Sequence, residues 1–554
     1  MRIIVVVFVM FSVMFAADLS VCGTEELLPI GFTEEELTRI SEIGTYQNRT
    51  DPPPAGVRNP GEFEPATGVM VRWPLGVPYA FLADVSNNSE LWVICSSSQQ
   101  ASAASALASA GVNMSNTDFI TGPTNTIWVR DYGPWFIVLA DGTQGIFDYN
   151  YNRPRPQDDL IPQVIGDQWG IPVYVSDIIH TGGNYMSGGL GEAMSTDLVY
   201  VEDPHSNSWV DDQMEEYLGI TQYTTFTDPQ ATYIDHIDCW SKMLAPDRIM
   251  VLQVPPSHGD YAALEAVADL IAESSSPYGH PWEVYRVFSS GAEGYVNGLL
   301  HNDTYYMPVW NTGNDSPAAA AFLEALPGYT IAPFYYDGGS GGSGFSNTDA
   351  LHCRSRNVMD RYMLQLLHTP VDTLQSGYAI TITAFIQPNP ANSLTSTSVF
   401  YRVDSGSFTE VSMTGTGSNN YSGVIPSSPN GSFVEYYIRA EDSSGRVSAH
   451  PQFAPATWFN HYTVSSTGIA SNGGLPVTPL MFGANPFKSV MAFSGQPGTL
   501  FSVFDASGRI VHSSVAGENG LMEWNPDGTT SDGVYFAHFV YGGSVSTARA
   551  VLLR

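Results

Sequence analysis

The residue pattern changes character once along this chain, near residue 370, and the two sides of that change call for different fold classes. From 51 to 369, helix-period and strand-period segments alternate. Leu264, Val267, Ala268 and Ile271 recur at helical spacing and stop at a serine run and Pro277. Residues 101–110 are alanine-rich, and residues 317–326 read as a helix with proline at its start. Residues 91–95, 136–139 and 249–254 are short apolar strands. Such alternation predicts an α/β domain. From 370 to 466 no helical period appears. Residues 379–386, 398–403 and 433–440 alternate in strand fashion between Gly, Ser, Asn and Pro turns, which predicts a β-sandwich. It holds no cysteine, so it lacks an inter-sheet disulfide. A Ser/Gly-rich linker at 465–474 leads to a second all-β domain at 475–554.

The N-terminal region divides in two. Arg2 precedes the apolar residues 3–17, a run shorter than the roughly 20 residues a membrane span requires. Ala16 and Ala17 offer small residues for cleavage, so residues 1–17 read as a secretory signal peptide. Leu19-Ser20-Val21-Cys22 is a poor match to a lipoprotein attachment box. Residues 18–50 are polar and acidic, a short helix or a removable pro-segment, ended by Asp51-Pro52-Pro53-Pro54.

The 554 residues include 55 acidic and 21 basic side chains, a net charge of −34. That sign repels nucleic-acid phosphates and anionic headgroups and favours a cationic substrate. An apolar fraction of 43% excludes global disorder, and four cysteines are too few for a disulfide scaffold.

The chemistry concentrates in the α/β block. Cys95 and Cys239 sit in apolar runs and read as inert thiols. Cys353 follows the glycine-rich stretch 338–344 and lies between His352 and Arg354, neighbours expected to lower a thiol pKa. It is a candidate nucleophile or an ordinary buried cysteine. In Asp235-His236-Ile237-Asp238-Cys239, a strand would put His236 and Asp238 on one face for proton transfer or metal binding, and a polar turn is equally open. In Trp128-Val129-Arg130-Asp131-Tyr132-Gly133-Pro134-Trp135, Asp131 could hold a cation stacked on Trp128, or the aromatics could pack around a bend.

Those three motifs, taken in order with Ala350-Leu351-His352-Cys353, resemble the guanidine-modifying enzymes of the pentein fold. Within them the chain looks most like the bacterial, Porphyromonas-type peptidylarginine deiminases, relatives of the agmatine deiminases. The resemblance covers about residues 50–370. It implies a five-fold pseudo-symmetric α/β propeller, needing no cofactor and no metal. It also implies Cys353 as nucleophile, His236 as general acid/base, Asp131 and Asp238 as a carboxylate clamp on the guanidinium, and Asn297 as a hydrogen-bond partner of the reacting centre. Trp128, Tyr233 and Ile234 would wall the substrate's aliphatic chain. Arg153 and Arg155 match arginines that grip a substrate's terminal carboxylate, or else form an exposed basic turn.

Agmatine has no carboxylate. Agmatine deiminases carry an acidic residue ahead of a Gly-Gly pair, where this chain has Thr181-Gly182-Gly183. The expected activity is therefore conversion of arginine, preferentially C-terminal arginine of peptides and proteins, to citrulline and ammonia. The runner-up is an exported deiminase of agmatine or free arginine. A different class of reading is a catalytically dead surface adhesin. Bacterial peptidylarginine deiminases also carry an immunoglobulin-like domain, as expected for 370–466. The terminal block resembles type IX secretion C-terminal sorting domains, which implies that secretion machinery as a partner and a secreted or cell-surface location. No EF-hand loop is present, so calcium dependence is not expected. Oligomeric state is left open by the sequence.

Overall fold

The computed structural model describes residues 28–338, 344–371, 374–375, 378–464 and most of 480–552. Residues 1–17, read above as a signal peptide, the heart of the glycine-rich stretch (339–343) and the expected linker 465–474 lie outside the described residues.

The α/β block builds one unit five times among the described residues. Each unit is a strand, a helix and a second strand parallel to the first, and the first strand also pairs with an antiparallel neighbour. In the second unit Gln144–Tyr151 lies parallel to Val173–His180 across helix Ile161–Trp169 and antiparallel to Trp135–Val138. In the fourth, Arg248–Gln253 and Glu283–Phe288 flank helix Tyr261–Glu273 beside Ser241–Ala245. In the fifth, Thr304–Val309 and Thr330–Tyr335 flank Asp315–Ala325 beside Leu299–His301. The third is built likewise from Glu192–Thr196, Gln222–Phe226, helix Asn207–Leu218 and the short Met186–Ser187. In the first unit Ala66–Arg72 is parallel to Glu90–Cys95, and its antiparallel neighbour Arg356–Met359 comes from the far end of the block. The two ends of the block therefore share one sheet.

The helical period read in the sequence is the buried face of Tyr261–Glu273: Leu264, Val267, Ala268 and Ile271 all pack inward. Such a face is what holds a helix of this length in place, because isolated helices of about 12–15 residues are marginal in water.

The first all-β unit begins slightly before residue 370, since Gln365–Leu367 already pairs with Ile380–Gln387. Its two sheets enclose a core of Ile382, Ile386, Val399, Val434, Tyr436 and Ile438. It seats on the α/β block through Arg446 paired with Asp360, Arg248 over Trp458 at 4.2 Å and Tyr278 bonded to His450 at 3.1 Å. A second pair of sheets follows, around Phe493, Phe501, Trp524 and Phe539.

Candidate active site

Two tight turns and one glycine assemble the centre. Val129–Tyr132 is a single helical turn, ended by Gly133 at φ +90°, a conformation that favours glycine. Its consecutive charges serve different networks. Arg130 pairs with Glu62 at 2.7 Å, while Asp131 Oδ1 accepts the Gly183 N–H at 3.2 Å and stands 3.7 Å from His236 Nδ1. The segment around His236 is not a strand. Asp235 takes φ +53° and Ile237–Cys239 forms a 3₁₀ turn, so the turn, rather than strand alternation, delivers His236 and Asp238 to one pocket. A Cβ on Gly183 would lie 2.5 Å from His236 Nδ1 and 2.7 Å from Asp131 Oδ1, so glycine is what lets both groups converge there. Asn184 ties the floor together: its Oδ1 accepts N–H bonds from Thr196 and Ile237.

Cys353 Sγ accepts a hydrogen bond from Asn297 Nδ2 at 3.2 Å and lies 3.7 Å from Asp238 Oδ2. Asn297 also receives the backbone N–H groups of Ala350 and Cys353 on its Oδ1, so it orients the cysteine as well as touching its sulfur. Cys353, Asp238 and Asn297 are 0% exposed, and Asp131 and His236 are 1% exposed.

Burial and the neighbouring charges together set the protonation of these groups. Burial, reinforced by Asp238, pushes Asp131 up to about 8. Burial opposes ionisation of Asp238 too, but the hydrogen bond and charge of His352, with the charges of His236 and Lys242, together outweigh it and hold that carboxyl below its usual range. Burial pushes His236 down to about 4, and neither of its ring nitrogens has a hydrogen-bond partner among the described residues. The thiol of Cys353 is pushed up, first by burial and then by Asp238, Asp131 and Asp349. This corrects the expectation that its flanking residues lower it. Arg354 is turned away to Asp349 and to the Gly76 and Gly344 carbonyls. His352 bridges Asp238 at 2.6 Å and Glu62 at 2.8 Å. This buried cluster thus holds two carboxyls, a neutral imidazole and a protonated thiol, an arrangement complementary to a planar cation.

Trp128 and Ile234 are buried in the hydrophobic cluster that also contains Cys353, while Tyr233 is 67% exposed. Arg153 and Arg155 do not form an exposed turn, since both are buried. Arg155 is paired with Glu36 at 2.7 Å, and Arg153 bonds the carbonyls of Asn152 and Ile30. Sequence reasoning missed Glu36 and the cluster of Glu62, Lys242, Arg130 and His352. No local spacing links residues so far apart in the chain.

Residues 58–357 match the family model of Porphyromonas-type peptidyl-arginine deiminases. A relative from Streptomyces avermitilis, provisionally named an agmatine deiminase, is 23% identical over 334 residues, spanning 52% of this chain and 95% of its own length. Another from Streptococcus mutans, named in the same way, is 23% identical and spans 50% of this chain and 90% of its own. A crystal structure provisionally described as an agmatine deiminase shares the fold at a TM-score of 0.50 and 18% identity, covering 57% of this chain and 99% of that one. The family span contains every side chain of the pocket from Trp128 to Cys353, and since it covers more than half of the protein, the chain belongs to the Porphyromonas-type peptidyl-arginine deiminase family and is a hydrolase of guanidino C–N bonds.

Proposed function

We propose that this protein deiminates arginine at the C-terminus of peptides and proteins. The observation that carries the choice of substrate is Arg155: a buried guanidinium beside the pocket that is already engaged by a carboxylate, that of Glu36. A substrate lacking a carboxylate would leave such a receptor unused.

The geometry supports the following sequence of steps. The substrate guanidinium lies between Asp131 and Asp238 and is held in plane by them. Its positive charge favours the thiolate of Cys353, whose proton passes to His236. The thiolate attacks the central guanidino carbon and forms a C–S bond. His236 returns the proton to one amino nitrogen, the C–N bond breaks and ammonia leaves, giving a thiouronium. His236 then takes a proton from water as the water attacks the same carbon. The C–S bond breaks, releasing citrulline and restoring the cysteine.

Cation binding should deprotonate Asp131. Because burial holds its carboxyl near 8, it is mostly protonated at pH 7, and a guanidinium beside it pulls that pKa down. Binding of a substrate to a Cys353→Ala variant should therefore release close to one proton at pH 7, and progressively less as the pH rises past 8. Titration calorimetry in buffers of different ionisation enthalpy measures this. Absence of proton release at pH 7 would remove Asp131 from the clamp.

The substrate choice is tested by citrulline release from a peptide ending in arginine, the same peptide amidated, and agmatine. The free-carboxylate peptide should be preferred. Replacing Arg153 and Arg155 with Gln should cost that preference roughly 2–5 kcal/mol in kcat/KM while sparing the amidated peptide. Preference for agmatine would favour the second reading, a small-molecule deiminase, which the names of the relatives support.

The five repeated sheets support a five-fold pseudo-symmetric propeller for residues 51–369. Arg2 and the apolar run at 3–17 support export, and the two all-β regions are read as an immunoglobulin-like domain and a type IX sorting domain. Retention of a chain lacking 475–554 inside the cell would support that sorting role, and normal export would refute it.

A further inference from the structure

We propose that residues 28–46 are an internal plug of the substrate entrance, with the Glu36 carboxylate seated where the terminal carboxylate of a peptide substrate binds. The proposal rests on the reading of Arg153 and Arg155 as the carboxylate receptor and adds a regulator to it.

Residues 28–36 engage four of the five side chains assigned to substrate binding. Trp128 Nε1 donates to the Leu28 carbonyl at 3.1 Å. Arg153 Nε donates to the Ile30 carbonyl at 3.3 Å, and its guanidinium lies 4.2 Å over the Phe32 ring. Arg155 donates to the Pro29 and Gly31 carbonyls at 2.8 and 2.9 Å and to both oxygens of Glu36 at 2.7 and 3.1 Å. Gly31 is so close to Tyr233 that an added Cβ would lie 2.9 Å from its ring. Ile30 is buried in the same cluster as Trp128, Ile234 and Cys353. With the segment in place, all five reacting side chains are essentially inaccessible.

Glu36 is presented deliberately. Thr33 and Glu36 form a reciprocal capping box on Glu34–Leu37, which fixes the carboxylate while Glu34 and Glu35 point to solvent. Burial opposes its charge, yet the hydrogen bond from Arg155 leads a set of contacts that keeps it below the usual range. A fork of two N–H···O bonds is the geometry with which an arginine receives a free carboxylate. Beyond Glu36 the segment is thinly anchored: Leu37 and Ile40 are 55% and 48% exposed. The contacts that hold it are mostly polar and are ones a substrate carboxylate and backbone could replace. Substrate and segment therefore compete for the same donors.

The test uses the full chain in two forms. One carries Phe32→Ala with Glu36→Ala. The other carries a specific protease site in the exposed stretch 48–51, cut in the folded protein and freed of the N-terminal fragment. Two readouts are followed: the rate at which iodoacetamide alkylates Cys353, by mass spectrometry, and citrulline release from a peptide ending in arginine. Both forms should alkylate at least tenfold faster than the uncut parent and show a lower KM for the peptide. Folded protein with unchanged alkylation and KM overturns the proposal and makes the segment a permanent wall. The nicked form decides the matter if the double variant fails to fold. Faster alkylation without turnover of any arginine peptide would uphold the plug and instead refute the peptidyl-arginine reading.

Discussion

Replacing Cys353 with Ala is expected to reduce citrulline release by at least about 10⁴-fold, because no other group in the pocket can form the covalent intermediate. Cys239 lies behind Asp238, 3.8 Å from its Oδ1, with its thiol donated to the Thr348 carbonyl at 3.3 Å, and Cys95 lies in the sheet of the first unit. Neither can substitute. Stability should change little. The substitution removes one sulfur and one weak hydrogen bond from Asn297, worth about 1 kcal/mol together with the small cavity. Binding should persist, since the proposed clamp, Asp131 and Asp238, is left intact. The check is a turnover assay paired with a thermal melt and a guanidine-ligand titration. Full activity in the variant would end the nucleophile assignment. Loss of binding as well as turnover would instead make Cys353 part of the clamp.

The second large effect is expected at Glu62, which touches no proposed substrate atom. One carboxylate serves three cations: Oε1 meets Lys242 Nζ at 2.9 Å, and Oε2 meets Arg130 at 2.7 Å and His352 at 2.8 Å. Burial and Arg130 push the His352 ring towards neutrality, and the carboxylates oppose them. Both ring nitrogens face carboxylate oxygens, an arrangement satisfied when both carry protons, so His352 is best described as an imidazolium. Removing the carboxylate strands buried positive charges. Glu62→Ala should cost about 3–5 kcal/mol, the range for breaking a buried ion pair from one side. In a domain of this size that lowers Tm by roughly 4–8 °C. The damage should also reach the pocket, because His352 is what keeps Asp238 ionised. Glu62→Gln, if folded, should raise KM more than it lowers kcat and shift the acid limb of the kcat/KM profile upward, as Asp238 loses its charged partner. Glu62→Asp should restore part of both. A folded Glu62→Gln variant with a parental melt and pH profile would refute this account.

How much of this was legible beforehand follows from how local each feature is. The inward face of Tyr261–Glu273 could be read directly, since a helix returns a side chain to the same face every three to four residues whatever surrounds it. The approximate change to all-β structure was equally legible. The three chemical motifs were recognisable because their residue types are unusual side by side. The geometry of His236 and Asp238 was not, because a residue at positive φ followed by a 3₁₀ turn replaced the strand that alternation offered.

The state of the thiol shows the limit most clearly. Adjacent positive residues argued for a lowered pKa, yet a pKa answers to distance and burial in space. Arg354 and His352 face other partners, while Asp131 and Asp238, 222 and 115 positions away in sequence, raise it. By itself, then, the sequence determined the kinds of element, their order and the chemical groups available, all of which depend on backbone period and side-chain identity. The tertiary structure alone decided which charges meet: that Arg130 and Asp131, adjacent in the chain, serve opposite networks, and that Glu36 lies on Arg155. Electrostatic energy falls with separation in three dimensions, and the fold brings these residues together across intervals that no local pattern spans.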